Sequence, residues 1–230
     1  MKKPKSDGFG PWLILCGLSV LVLWALAWKP RASSVVYGDT VGAYVSGPVS
    51  RDGVRARCAI PAQWHQKNAG GSDGAGLCVF ASMRHTGLMQ GDPVFAGLFH
   101  YMRNFPGGSY PSKTKQMIER YAREKGLPVP HYIQAERTDW GLIQRAAQAG
   151  RVPAVTYSIS PTGRYRGQRI AHMVSLVHCD GERVAILDNN YIGENAYEWM
   201  TLEEGRRAGI LDWVIVLITP GVPPAPFNGD

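Results

Sequence analysis

The apolar positions of this chain fall into three successive patterns. Residues 9–28 are an uninterrupted run without a charged side chain. Residues 78–149 place apolar side chains at helical spacing between stop signals, and residues 152–218 hold short β-branched runs separated by turns. The first pattern predicts a membrane-spanning helix, because twenty residues at about 1.5 Å each match a hydrocarbon core of about 30 Å. Trp12 at one end and Trp24 and Trp28 at the other suit the membrane interfaces. Lys2, Lys3 and Lys5 favour a cytoplasmic N-terminus, with the remainder outside. A cleaved secretory signal is the competing expectation, since Ala25-Leu26-Ala27 satisfies a small-x-small site. Either way, residues 32–230 are exported.

The expected organisation is a cytoplasmic segment 1–8, the anchor or signal peptide 9–28, a linker 29–51, a folded unit 52–219 and a proline-rich tail 220–230, where four prolines prevent helix or sheet from continuing. Within the folded unit, 78–85 predicts a short helix that opens at Cys78 and closes at Gly87. Residues 112–125 predict a second, capped by Ser112 and stopped by Gly126 and Pro128, and 138–149 a third, ended by Gly150. Strands are expected over 152–159, 172–178, 184–188 and 213–218, with Asp180-Gly181 turning the second into the third as a hairpin. Thr201 and Glu204 have the spacing of a capping box, which opens one more short helix. Helices followed by an antiparallel sheet make an α+β order.

Composition narrows the choice of partners. At 45% hydrophobic and 19% charged, the chain is neither disordered nor a disulfide scaffold. Of the net charge of +7, residues 1–31 carry +4, leaving +3 of mixed sign for the rest. A phosphate-binding face needs clustered cations, so no nucleic-acid partner is expected. No Cys-x-x-Cys, His-Glu-x-x-His or calcium-loop spacing occurs, so neither a metal nor a cofactor is expected.

Candidate chemistry begins at Cys78. A thiol at a helix N-terminus, behind the glycine-rich stretch 70–76, has its thiolate favoured by free N–H groups and the positive end of the helix dipole. The same position also suits an inert core cysteine. A nucleophile needs a base, and six histidines are present. His172 and His178 lie an even number apart on one predicted strand and so share a face. A hairpin centred on residue 180 sets His172 opposite Asp188, where the two side chains meet. That pairing fits the base and orienting acid of a nucleophilic triad, or a cross-strand pair on a solvent face.

Gly76-Leu77-Cys78-Val79-Phe80-Ala81-Ser82, the later Ala171-His172-Met173-Val174 and Leu187-Asp188-Asn189-Asn190 together resemble the papain-like cysteine peptidases, and among them the bacteriocin-processing, double-glycine leader peptidases. The likeness spans about 70–190. It implies a papain-like fold, in which an N-terminal helical lobe packs its nucleophile helix on an antiparallel sheet carrying His and Asp. It also implies roles: Cys78 as nucleophile, His172 as general base, Asp188 as orienting acid, and Asn189 in its place if the register slips by one. The family's oxyanion-stabilising glutamine usually stands six positions before the cysteine, where this chain has Ser72. Gln66, swung back by the extended glycine loop, is the expected substitute, with His65 as a rival donor.

The resulting expectation is a membrane-anchored cysteine peptidase that hydrolyses peptide bonds of a peptide or protein substrate through a thioester. A transglutaminase-like acyl transferase and a non-catalytic peptide-binding module are the alternatives. Cys58 and Cys179 suit either a disulfide or two buried thiols. Arg164, Arg166 and Arg169 predict a solvated basic loop beside the cleft.

Overall fold

A computed structural model describes residues 50–70, 75–105 and 107–219. The predicted anchor over 9–28, the 1–8 segment, all but the end of the linker and the 220–230 tail lie outside the described residues. Among those described, no helix is long and apolar enough to cross a membrane.

The described part of the expected linker contributes a strand. β1 (Ser50–Arg51) pairs antiparallel with β2 (Val54–Arg55) across Asp52 and Gly53. Both turn residues have positive φ, 51° and 75°, a conformation that an Asp-Gly pair tolerates well.

Three helices follow: α1 (Cys78–Gln90), α2 (Pro93–Met102) and α3 (Pro111–Lys125). The predicted end of α1 at Gly87 is corrected, for the helix runs one turn further and stops at Gly91, whose φ of 72° closes it in the left-handed region. Gly87 has a different purpose. A Cβ there would lie 2.2 Å from the backbone nitrogen of Ala96, so the glycine is what lets α2 cross α1 closely. The α2 helix escaped the sequence reading although Asp92-Pro93 is a strong start signal: the Asp92 carboxylate accepts from Phe95 N at 2.8 Å and proline occupies the first turn. In α3, Pro111 takes the first helical position, with Tyr110 rather than Ser112 as N-cap.

β3 (Tyr132–Glu136), α4 (Trp140–Gln148), β4 (Ala154–Tyr157), β5 (His172–Cys179), β6 (Arg183–Leu187), β7 (Tyr197–Thr201), α5 (Leu202–Arg207) and β8 (Trp213–Leu217) complete the chain. The six strands β3 to β8 form one sheet in the order β3-β8-β4-β5-β6-β7, antiparallel at every pairing. The expected α+β class is therefore observed. The capping box is formed as well, with Thr201 Oγ1 accepting from Glu204 N and the Glu204 carboxylate accepting from Thr201 N.

Sheet alternation sorts the core. In β8, Ile215 and Leu217 join Phe80, Met83, Phe95, Leu98 and Phe99 of α1 and α2, whereas Val214 and Val216 join Ile143, Ala146 and Ala147 of α4. Both faces of the sheet are covered by helices, which explains why its central strands read as continuous apolar runs rather than as alternating ones. Each fully buried side chain of the size of Leu98 or Phe99 contributes roughly 1.5–3 kcal/mol. The segment 56–64 packs with Val177, Ala185, Leu187, Tyr197 and Trp199 as a third cluster.

Candidate functional site

Cys78 is the first residue of α1 and is buried at 8% exposure. Leu77, its N-cap, supplies no side-chain hydrogen bond, so the thiol shares the positive end of the helix with first-turn N–H groups. His172 opens β5, and Asp188 follows directly on the last residue of β6.

The contact expected between His172 and Asp188 exists, though not by the expected register. The hairpin turns over Asp180 to Arg183, closed by Asp180 N donating to Arg183 O. A bulge between Leu176 and His178 then shifts the pairing, so that Ser175 faces Leu187. Asp188 is thus offset along the strand from the position directly across from His172. The pair still meets, His172 Nε2 to Asp188 Oδ1 at 2.8 Å, with both side chains essentially inaccessible to solvent. The bulge also breaks the even alternation that would have put His178 on the face of His172. Instead the His178 ring lies near Trp199 and bonds Asp180.

With Nε2 taken by Asp188, Nδ1 is the ring nitrogen left for the thiol. Cys78 lies close enough to the ring to favour its protonated form, while Nδ1 has no hydrogen-bond partner. The thiol is therefore close to the ring but not aligned on it. Burial disfavours the imidazolium, yet the Asp188 charge and hydrogen bond, reinforced by Cys78, win and hold His172 well above its ordinary value. Burial likewise works against the Asp188 carboxylate. The charge and hydrogen bond of His172, helped by Arg164 and Tyr165, overcome it and hold the carboxyl below its usual range.

Asn189, expected only as a substitute for Asp188, does something else. Its Nδ2 lies 3.1 Å from Cys78 O, 2.9 Å from Ser82 Oγ and 2.9 Å from Met173 O. It staples the first turns of α1 to β5 and so fixes the thiol relative to the ring. Of the two, Asp188 is the residue that bonds the His172 ring.

The extended segment leading to the glycine loop runs back beside Cys78. Leu77 N donates to Ala69 O at 2.8 Å, Gly70 bridges to Gly76, and Asn68 N donates to Asn189 O. Gln66 is part of this segment, but its Nε2 donates to Lys67 O at 3.0 Å, so its carboxamide is occupied locally. The Gln66 backbone N–H donates to His85 Nε2 at 2.7 Å, and His85 Nδ1 meets Ser175 Oγ. Full burial, with the neighbouring His65 and Arg84, holds His85 down to about 3, in the neutral form that this accepting nitrogen requires. His65 Nε2 bonds Ile60 O at 3.0 Å.

Asn68 is the residue nearest the loop that sequence reasoning overlooked. A Cβ on Gly76 would come within 2.9 Å of its Nδ2, and that Nδ2 donates to Asn190 Oδ1. Nothing in its sequence surroundings marks it.

The basic-loop expectation is corrected at Arg164, which is 1% exposed. Its guanidinium pairs with Asp188 Oδ2 at 3.4 Å and Glu198 Oε2 at 3.3 Å, and donates to the carbonyls of Asn195 and Tyr197. Cys58 and Cys179 are free, buried thiols. Burial pushes Cys58 up to about 12 and also raises Cys179. Among the described residues, no group of three or more His, Cys, Asp or Glu is arranged to hold a metal ion. Comparison with family models, curated proteins and solved structures returns no match.

Proposed function

We propose that this chain is a papain-like cysteine peptidase, with Cys78 as nucleophile, His172 as general base and then acid, and Asp188 as the group that orients the ring. The observation that carries the reading is the His172–Asp188 contact of 2.8 Å on a ring whose proton affinity the neighbouring Cys78, first residue of α1, helps to raise. Nucleophile, base and orienter converge from three separate elements, as acyl-transfer chemistry requires.

In this reading the thiol proton passes to His172 Nδ1, and the sulfur attacks the carbonyl carbon of a peptide bond. The C–S bond forms as the carbonyl electron pair moves onto oxygen. That oxyanion faces the backbone N–H groups at the start of α1, with Gln66 as a further donor once its amide leaves the Lys67 carbonyl. Collapse breaks the C–N bond, and the amine departs with the proton from Nδ1. Water then gives a proton to His172 and attacks the thioester, releasing the acid and restoring the thiol. Membrane attachment through residues 9–28, or secretion after their removal, sets this chemistry outside the cytoplasm.

The engaged Gln66 amide is what favours a second reading, a peptide-binding module without turnover. Incubating the full-length chain with a peptide mixture separates the two. New N-termini that disappear in Cys78→Ala support the peptidase, and their absence supports the module. Added primary amine distinguishes hydrolysis from acyl transfer, since a transferase yields amides in place of acids.

A further inference from the structure

We infer that Tyr165, together with Arg164, is a positioning residue that grips the outer oxygen of Asp188 and tempers its hold on the His172 proton; the inference rests on the peptidase reading.

The two oxygens of Asp188 have separate duties. Oδ1 receives His172 Nε2 at 2.8 Å and Asn190 N at 3.0 Å. Oδ2 receives the Tyr165 hydroxyl at 2.7 Å and Arg164 Nη1 at 3.4 Å. A buried carboxylate whose sole partner was an imidazolium would hold the ring proton too firmly, and a base that must return its proton to the leaving amine would then be slow. Donors on the far oxygen draw off part of that negative charge while fixing the carboxylate plane. Arg164 is a shared cation, divided between Asp188 and the equally buried Glu198, which also accepts from Tyr157, Ser160 and Thr162. The Tyr165 hydroxyl is the closer of the two donors.

Tyr165 is held in place at a conformational cost. Tyr165 and Arg166 both have left-handed backbone, φ 58° and 56°, between Gly163 and Gly167. Such backbone persists only where the surroundings over-determine it. Those surroundings include a chain of bonds that loops back to the nucleophile: Asn190 Nδ2 donates to the Tyr165 hydroxyl, Asn68 Nδ2 donates to Asn190 Oδ1, and Asn68 lies against Gly76, two residues before Cys78. The titratable and charged groups facing Asp188 are His172 on β5, Arg164 and Tyr165 on the 163–167 turn, and, at longer range, Tyr157 on β4. Glu198 on β7 acts through Arg164, and Cys78 on α1 acts through the ring. Of these, Tyr165 can lose its contribution through deletion of a single atom.

The test is the titration of the His172 ring by NMR in the full-length chain labelled with 13C-histidine, the signal being assigned by its loss in His172→Ala. Tyr165→Phe is the informative variant, because Arg164→Met strands two buried carboxylates and endangers folding. The expected result is a rise of about one unit in the His172 midpoint, a tenfold tighter proton, with the other histidine signals unmoved. An unchanged or lowered midpoint overturns the inference. Alkylation of Cys78 in the parent and in His172→Ala keeps the two ideas apart. If alkylation depends on His172 and the midpoint stays put, only the positioning role fails; if alkylation is indifferent to His172, the peptidase reading fails and takes this inference with it.

Discussion

In the proposed peptidase three side chains carry the chemistry, and their neighbours decide whether they meet. Asp188→Asn keeps the shape of the carboxylate but loses its charge and favours the wrong ring tautomer. Turnover is expected to fall by about 10³–10⁴, as for a triad acid, measured as product formation under substrate saturation. Asn189→Ala acts differently, because it removes the staple between Cys78 O, Ser82 and Met173 O. Its expected signature is a loss of about 2–3 kcal/mol in stability, since buried acceptors lose their donor, read from urea unfolding. The residue scale is also where the sequence was least transparent. Cys78, His172 and Asp188 were legible as types at plausible positions. Arg164, Tyr165 and Asn68 were not, because a buried arginine in a glycine-flanked loop has the same local signature as a solvated one.

At the level of elements, the capping and stop signals carried most of the information. Gly126 closes α3 and Thr201 with Glu204 opens α5 through hydrogen bonds to backbone groups within a few residues, and the helix expected from 138 starts at Trp140 with Asp139 as its cap. Thr201→Ala is accordingly expected to cost about 1 kcal/mol, and Gly87→Ala, whose Cβ would collide with α2, about 3 kcal/mol; the same urea series measures both. The contrast shows what local grammar leaves out. Gly87 has the look of a helix terminator, and only the crossing of α1 and α2 reveals it as a contact glycine. In the same way, the Asp180-Gly181 turn announced the β5–β6 hairpin, but no residue advertises the bulge at Val177 that sets its register.

For the whole molecule, the α+β order was readable because helical segments come first along the chain and β-branched runs follow. The covering of both sheet faces was not, since a continuous apolar strand reads alike in either case. Proton linkage gives the assembled fold a further testable property. His85 is held below its ordinary 6.5, down to about 3, so the unfolded chain binds the extra proton between these values and stability falls as pH drops through that window. His172 is raised, so its contribution is complete below 6.5 and is lost as pH rises toward its folded value. The thermal midpoint is therefore expected to peak near the ordinary histidine value, with an alkaline decline that flattens in His172→Ala; a scan of melting temperature against pH checks this. Whether Cys78 and His172 act as one unit is read by site-resolved mass spectrometry of iodoacetamide labelling at neutral pH. Selective labelling of Cys78 is expected, because Cys58 and Cys179 are more completely enclosed and burial raises both thiols, together with a slowing of at least about a hundredfold in His172→Ala. Equal labelling of Cys58, Cys78 and Cys179, or a Cys78 rate indifferent to the loss of His172, would overturn it.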